Sequence, residues 1–181
     1  MRNMARQSPT VIAASVEALR SYKDLADRAI AQTADVDLRR PLDPHTNSIA
    51  VIMKHMAGNM LSRWTDFLAS DGEKPHRDRD REFVDDFADR AAIAAYWETG
   101  WSRLFQTLAT LSDSDLFRIV TIRGEPHHVI DAIQRQVAHY GYHVGQIVLI
   151  ARHLKGQGEW QVLTIPRGGS KQFNEQIRNR A

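Results

Sequence analysis

Four long stretches of this chain repeat apolar residues at helical spacing, and that periodicity is the strongest constraint on its fold. In an α-helix, positions i, i+3, i+4 and i+7 share one face, so such stretches predict amphipathic helices. We assign them to about 11–33, 48–70, 89–111 and 128–154. Because each must bury its apolar stripe against a neighbour, the sequence predicts an all-α four-helix bundle.

Residues that favour helix ends delimit these stretches. Ser8 and Pro9 are expected to begin the first helix, and Asn47 is expected to cap the second. The glycines of 156–158 are expected to end the fourth. No fifth helix is predicted beyond Trp160.

Two connecting segments have distinct patterns. Residues 117–123 alternate and are rich in β-branched side chains, which predicts at most a small β-hairpin, with a turn at 124–126, before the last long helix. Residues 71–82 are charged and aperiodic, so we expect a solvated loop there.

Composition limits both the architecture and the chemistry. The chain has 181 residues, which predicts a single domain over 1–181, and its 43% hydrophobic and 25% charged residues are typical of soluble globular proteins. No cysteine is present, which excludes disulfides, thiolate metal ligands and a cysteine nucleophile. Any metal must therefore be held by nitrogen and oxygen.

Charge and hydropathy bear on partners and location. The net charge is +2, with acidic and basic residues mixed, so we expect no binding of nucleic acid. Neither a signal peptide nor a run of 18 apolar residues is found, so we expect a cytoplasmic protein without a membrane anchor.

A pair of histidines provides the main chemical signal. His139 and His143 are four residues apart, so on a helix they lie one above the other and can bind one metal ion. On the second helix, His55 shares a stripe with Asn59 at the edge of the apolar face. If the two helices face each other, three imidazoles meet along one seam, as three-histidine sites require.

A non-functional interpretation of these histidines is also open, in which they are boundary residues that donate to carbonyl groups or water. Two catalytic motifs do not fit the chain. The zincin motif needs a glutamate after the first histidine, where this chain has Tyr140. The segment 168–171 lacks the spacing of a phosphate-binding loop.

Three sequence segments carry a resemblance to a known family: SIAVIMKHMAGN at 48–59, SDGEK at 70–74 and HYGYHVGQI at 139–147. With them the chain resembles the DinB superfamily, and within it a bacterial branch allied to the YfiT-like metal-dependent hydrolases. The likeness extends from the first helix to the tail at 165–168. It implies a bundle, commonly dimeric, with a divalent metal such as nickel or zinc on His55, His139 and His143.

The resemblance also implies a class of reaction, because the superfamily contains S-transferases that use low-molecular-weight thiols. We predict a metal-dependent enzyme acting on small molecules, either a thiol S-transferase or a hydrolase. Since the chain has no cysteine, the thiol must be a cosubstrate. Asn59, Tyr140 and Gln146 are the candidates for orienting groups. No acidic general base lies on these stripes, which favours thiol transfer over hydrolysis.

The alternative prediction is a non-catalytic dimeric bundle, with a stress-related or interaction role and a vestigial or weak metal site. Both alternatives include a homodimer. The reason is that Trp64, Trp97 and Trp101, with the other aromatic residues, exceed what one small core is expected to hide.

Overall fold

A computed structural model describes residues 10–156 and 159–179. Within these ranges it has six α-helices and one two-stranded antiparallel hairpin, joined by loops and two 3-10 turns. The elements are α1 (Val11–Ala31), α2 (Asp35–Leu38), α3 (Ile49–Trp64), a 3-10 turn (Asp80–Phe83), α4 (Arg90–Ala109), a 3-10 turn (Asp113–Phe117), β1 (Ile119–Ile122), β2 (Glu125–His128), α5 (Val129–Lys155) and α6 (Ser170–Arg178).

The four long helices α1, α3, α4 and α5 form a bundle around one continuous hydrophobic core. Helix α3 packs on α4 and α5, and α1 packs on α5 and α4. Helices α3 and α4 approach closely at Gly100, where a Cβ atom would lie 2.7 Å from the Cα of Ala57. The predicted all-α bundle with a small hairpin before the last long helix is confirmed.

The aromatic residues do not behave as the dimer argument assumed. Trp64, Trp97 and Trp101 are 1%, 2% and 0% exposed within a single chain. Edge-to-face packing of Trp97 on Trp101, with ring centroids 5.4 Å apart, fills the interface around α4. One core therefore hides all three indoles, and they give no support to a homodimer.

The helix starts differ in detail from the prediction. The side chain of Thr10 accepts a hydrogen bond from the Ala13 amide at 3.1 Å and caps α1, whereas Ser8 and Pro9 lie outside the described residues. Helix α3 is capped by Ser48 and not by Asn47, because the Ser48 hydroxyl accepts from the amide three residues later at 3.3 Å.

Helix α3 also ends earlier than predicted, at Trp64. Thr65 is extended and Asp66 has a φ of 47°, a left-handed conformation that turns the chain. Phe67 still reaches the core by packing on Trp64, with ring centroids 4.8 Å apart. Phe67 therefore fits the apolar periodicity of α3 although it lies beyond the end of the helix, and this explains why the predicted helix was too long.

The hairpin pairs Ile119 with His128 and Ile122 with Glu125. Its tip is Arg123-Gly124, one residue earlier than predicted, and both residues have positive φ, 56° and 77°. Two positive φ angles match the right-handed twist of the flanking strands in tight hairpins. The Asp71 carboxylate accepts from both tip amides at 2.8 Å, which attaches the hairpin to the loop after α3.

Two short helices were not predicted. Helix α2 has one turn, and α6 follows Pro166 and a glycine pair and buries none of its residues. Such helices add little apolar periodicity to the core, which is the signal that reveals longer ones. In the part of the chain that is described, no helix combines the length and apolarity needed to cross a bilayer.

Candidate metal centre

Helices α3 and α5 bring the three predicted histidines together. His55 comes from α3, and His139 and His143 come from successive turns of α5. One ring nitrogen from each lies within 4.8 Å of the others. The Nε2 atom of His139 is 3.4 Å from that of His55 and 3.0 Å from that of His143. Among the described residues this is the group of histidine and acidic side chains with the geometry to hold a metal ion.

The nitrogen spacing suits a divalent ion. Zinc–nitrogen bonds of 2.0–2.1 Å at tetrahedral angles separate ligand nitrogens by about 3.3 Å. The other ring nitrogens are already engaged: His55 Nδ1 lies 2.9 Å from Glu82 Oε2, and His143 Nδ1 lies 2.7 Å from Gln146 Oε1. Both oxygens accept, so each Nδ1 carries the proton and each Nε2 presents its lone pair to the centre.

The electrostatics of the cluster favour neutral imidazoles. Burial, with the neighbouring His143 and His55 acting in the same direction, lowers the pKa of His139 to about 3. Burial also lowers the pKa of His143. Neutral imidazole is the form that binds a metal, so these two side chains need no deprotonation at neutral pH.

A network of charged side chains contacts the Nδ1 atom of His55, on the side of the ring away from the centre of the cluster. Arg77 donates to Glu82 through Nε at 2.7 Å and through Nη2 at 2.8 Å, and its Nη1 donates to Glu73 at 2.9 Å. Burial opposes the negative charge of Glu82, but hydrogen bonds from His55 and Arg77 outweigh it and lower the pKa of that carboxyl. Glu82 is therefore an ionised acceptor that orients the His55 ring.

This network corrects part of the prediction of a solvated loop at 71–82. Lys74 and Glu82 are buried, and the Arg77 side chain is only 4% exposed. Glu73, Arg77 and Glu82 pair with one another against α3, so this part of the segment packs on the helix. Residues 75–76 and 78–81 are exposed, as predicted.

Sequence analysis missed Glu82 and its partner Arg77. Glu82 lies 27 positions from His55 and on no helical stripe. One signal was present. Gly58 follows His55 by three residues inside a helix, and a Cβ atom there would lie 2.5 Å from Glu82 Oε1. A glycine within a helix often marks such a close approach.

The predicted orienting residues have different positions. Gln146 contacts the cluster through His143. Tyr140 is fully buried and donates to Asn59 Oδ1 at 2.9 Å while accepting from Trp64 Nε1 at 3.1 Å. Burial raises the pKa of the Tyr140 phenol, which keeps it protonated. Tyr140 and Asn59 therefore join α3 to α5 beside the histidines. The remaining histidines lie outside the cluster: His45, His76, His127, His128 and His153.

The fold and the cluster together define a class, that of helical bundles with a candidate metal centre built from side chains on facing helices. The sequence matches the family described as a protein family of unknown function, DUF1572, over residues 7–169. Because the match covers most of the 181 residues, the chain belongs to this family. None of the curated proteins compared with the sequence matches it.

Proposed function

We propose that the chain binds one divalent metal ion through His55, His139 and His143, and that it is a metal-dependent enzyme of the DinB superfamily that acts on small molecules. The convergence of three Nε2 atoms carries this proposal, together with the acceptors that fix two of the rings. Nickel and zinc are the metals that we expect, since both suit imidazole ligands.

When bound, such an ion supplies Lewis acidity and lowers the pKa of a coordinated water or thiol. The chain's own residues have simpler roles. The three histidines would hold the ion and leave coordination positions open, because the described residues supply three ligands there. Glu82 and Gln146 keep the His55 and His143 rings aimed at the centre.

Thiol transfer is the reaction that we favour over hydrolysis. Glu82 is the carboxylate in contact with the cluster, and its two oxygens already accept from Arg77 and His55. Its lowered pKa makes it a weak base. Metal coordination lowers the pKa of water only to about 7 but deprotonates a thiol outright, so a thiol nucleophile has less need of a separate general base. The thiol is a low-molecular-weight cosubstrate because the chain has no cysteine.

Metal content tests the first half of the proposal. The protein is purified without a histidine tag or added metal, and its metal is measured by elemental analysis. We expect about one nickel or zinc ion per chain. His139→Ala and His143→Ala should lose it, whereas the matched controls His45→Ala and His153→Ala should keep it. Equal behaviour of the two pairs would contradict the assigned ligands.

Activity tests the second half. Small thiols are paired with a panel of electrophiles, and ester and amide substrates are assayed without a thiol, each with metal-loaded and chelator-treated protein. We expect turnover that requires both metal and thiol and is absent in His139→Ala. Metal-dependent turnover of esters or amides without a thiol would favour the hydrolase instead.

The non-catalytic alternative is favoured by one observation. A proton on His139 Nε2 can be donated to the Nε2 atoms of His55 and His143, at 3.4 and 3.0 Å, so the cluster is also satisfied without an ion. Protein that contains no metal and binds none on titration would support this alternative.

The homodimer also remains a proposal. Its support is now the exposed apolar side chains of the last two helices, since Leu149, Phe173 and Ile177 are 63%, 41% and 49% exposed. Light scattering at tens of micromolar protein should report twice the chain mass, and a monomer would contradict the proposal.

A further inference from the structure

A cavity beside the histidines is lined by arginines. It has a volume of about 200 Å³, and its walls include His55, His139, Asn59 and Gln136. The remaining lining residues are all arginines: Arg63, Arg77, Arg79, Arg123 and Arg135. Among the described residues, no acidic side chain lines it.

The helices explain why the arginines gather at one end of this cavity. His55 and Arg63 are eight residues apart on α3, and His139 and Arg135 are four residues apart on α5. These separations are about 2.2 and 1.1 helical turns. Each helix therefore carries a histidine and an arginine along one i, i+4 row. Arg63 follows its histidine in sequence, whereas Arg135 precedes its own. Because both pairs line the same cavity, α3 and α5 run in opposite directions here, and the histidines lie at one end and the guanidinium groups at the other.

Arg63 has hydrogen-bonding capacity that the described residues do not meet. Its side chain is 3% exposed, and its Nε and Nη1 atoms have no hydrogen-bond partner there. Its Nη2 atom lies 4.0 Å from Glu73 Oε2, beyond hydrogen-bond distance. The side-chain oxygen of Gln136, Oε1, lies in the same wall and also has no hydrogen-bond partner among the described residues. Burial lowers the pKa of the Arg63 guanidinium, yet arginine keeps its charge in proteins.

The local carboxylates do not balance the charge. Glu73 is shared by Arg77 and Arg123, at 2.9 and 3.3 Å, and Glu82 pairs with Arg77. Arg135 makes no ion pair within the described part of the chain. Five arginines line the cavity, and three carboxylates lie near them, those of Glu73, Glu82 and Asp71. The local charge is therefore positive, and a buried cation without full compensation is costly.

We propose that this cavity is an anion-binding subsite, in which the carboxylate or phosphate group of a small acidic substrate is held by Arg63, Arg123 and Arg135. Guanidinium groups bind both kinds of oxyanion through paired charge-assisted hydrogen bonds. Arg135 on α5 lies four residues, about 6 Å along the helix axis, from His139. An acidic group held there directs the rest of the molecule towards the three imidazoles.

The identification of this anion as part of the substrate rests on the proposed function, but anion binding itself does not require the metal. The test therefore uses metal-free protein, dialysed after chelation, with inorganic phosphate and succinate as probes in isothermal titration calorimetry. We expect saturable binding of at least one probe below about 50 mM. Arg135→Gln should weaken it about tenfold, because one charge-assisted contact is lost.

The controls separate this subsite from the metal site. Arg103→Gln makes the same charge change at an exposed arginine of α4 that does not line the cavity, and it should leave binding unchanged. His139→Ala should lose metal but retain the probe within about threefold. Arg63→Met should also weaken binding, and circular dichroism checks that this variant folds. Because Arg63 is buried, the substitution can unfold the protein. In that case the comparison of Arg135→Gln with the wild type decides the result, since Arg135 is exposed.

Three results would overturn the proposal. They are absence of saturable binding in the wild-type protein, equal effects of Arg135→Gln and Arg103→Gln, and binding that appears only when metal is present. If purified wild-type protein contained no metal, the proposed metal site would be contradicted. Binding of phosphate or succinate would still support the anion-binding subsite.

Discussion

His55 and His143 present the same atom to the same centre, yet they are supported in different ways. The partner of His55 is a carboxylate 27 residues away, which is itself held by the buried side chain of Arg77. The partner of His143 is the amide of Gln146, three residues further along the same helix, which donates in turn to Tyr142 at 3.0 Å. On the α3 side of the site, His55 is therefore supported by a charged group from a distant part of the sequence. On the α5 side, His143 is supported by a neutral group from the same helix.

The difference predicts where the site is vulnerable. Removing one member of a buried charged network leaves its partner charge without compensation, which is strongly destabilising. Removing a neutral acceptor near the surface leaves one donor that water can satisfy. The α3 side should therefore couple the metal site to the stability of the fold, and the α5 side should not.

The largest expected effect is on stability. Glu82→Ala should lower the free energy of unfolding by about 3 kcal/mol, the lower end of the usual range because Glu73 still pairs with Arg77. Gln146→Ala should cost less than about 1 kcal/mol. Urea denaturation of chelator-treated protein measures both. If the two variants lost equal stability, the contrast between the two sides would be wrong.

Substitution of Glu82 should also weaken metal binding more than substitution of Gln146. Glu82→Gln replaces the carboxylate with the kind of group that already supports His143, and it should weaken metal binding by up to about 100-fold. Gln146→Ala should weaken it about tenfold. Competition titration against a chelator of known affinity measures each value, and the reverse order would show that the local amide matters more.

Acid should destabilise the metal-free protein through His139, which lies between the two supported rings. Its pKa is about 3 in the folded chain against an ordinary 6.5, so the unfolded chain binds more protons between these values. Stability should fall as pH drops through this window, by at most about 1.4 kcal/mol per pH unit for each histidine. The lowered pKa of Glu82 acts in the same direction, but only below its ordinary value of 4.5.

The histidine contribution is therefore isolated between pH 4.5 and 6.5. Denaturant unfolding at several pH values in this range should give a smaller slope for His139→Gln than for the wild type. His45→Gln, at an exposed histidine outside the cluster, is the matched control for the substitution. An unchanged slope in His139→Gln would mean that burial does not disfavour its protonation.

The smallest expected effects come from a matched pair of glycines, and they have opposite signs. Gly58→Ala on α3 places a Cβ atom 2.5 Å from Glu82 Oε1 and should cost about 1 kcal/mol, even after the gain in helix propensity. Gly145→Ala on α5 meets nothing within 4 Å and should stabilise the chain by about 0.5–1 kcal/mol. Thermal unfolding compares them, and a shared sign would contradict the close approach of Glu82.

The parts of the site that could be predicted are those that follow from one helix at a time. His139 and His143 are neighbours because of helical geometry, and Gln146 was placed beside them by the same periodicity. His55 was chosen because it lies on the edge of an apolar stripe on a second helix. Glu82 and Arg77 could not be chosen in this way, because their segment has no period and its charges are typical of a solvated loop.

The sequence by itself determined the four long helices, the hairpin and the three histidines, since hydrophobic periodicity and i, i+4 spacing depend only on local geometry. The tertiary structure decided what surrounds them. It placed Glu82 behind His55, ended α3 at Trp64 and gathered five arginines around one cavity. These features depend on contacts between distant residues, whose pairing is set by how the helices pack and not by the order of residues along any one of them.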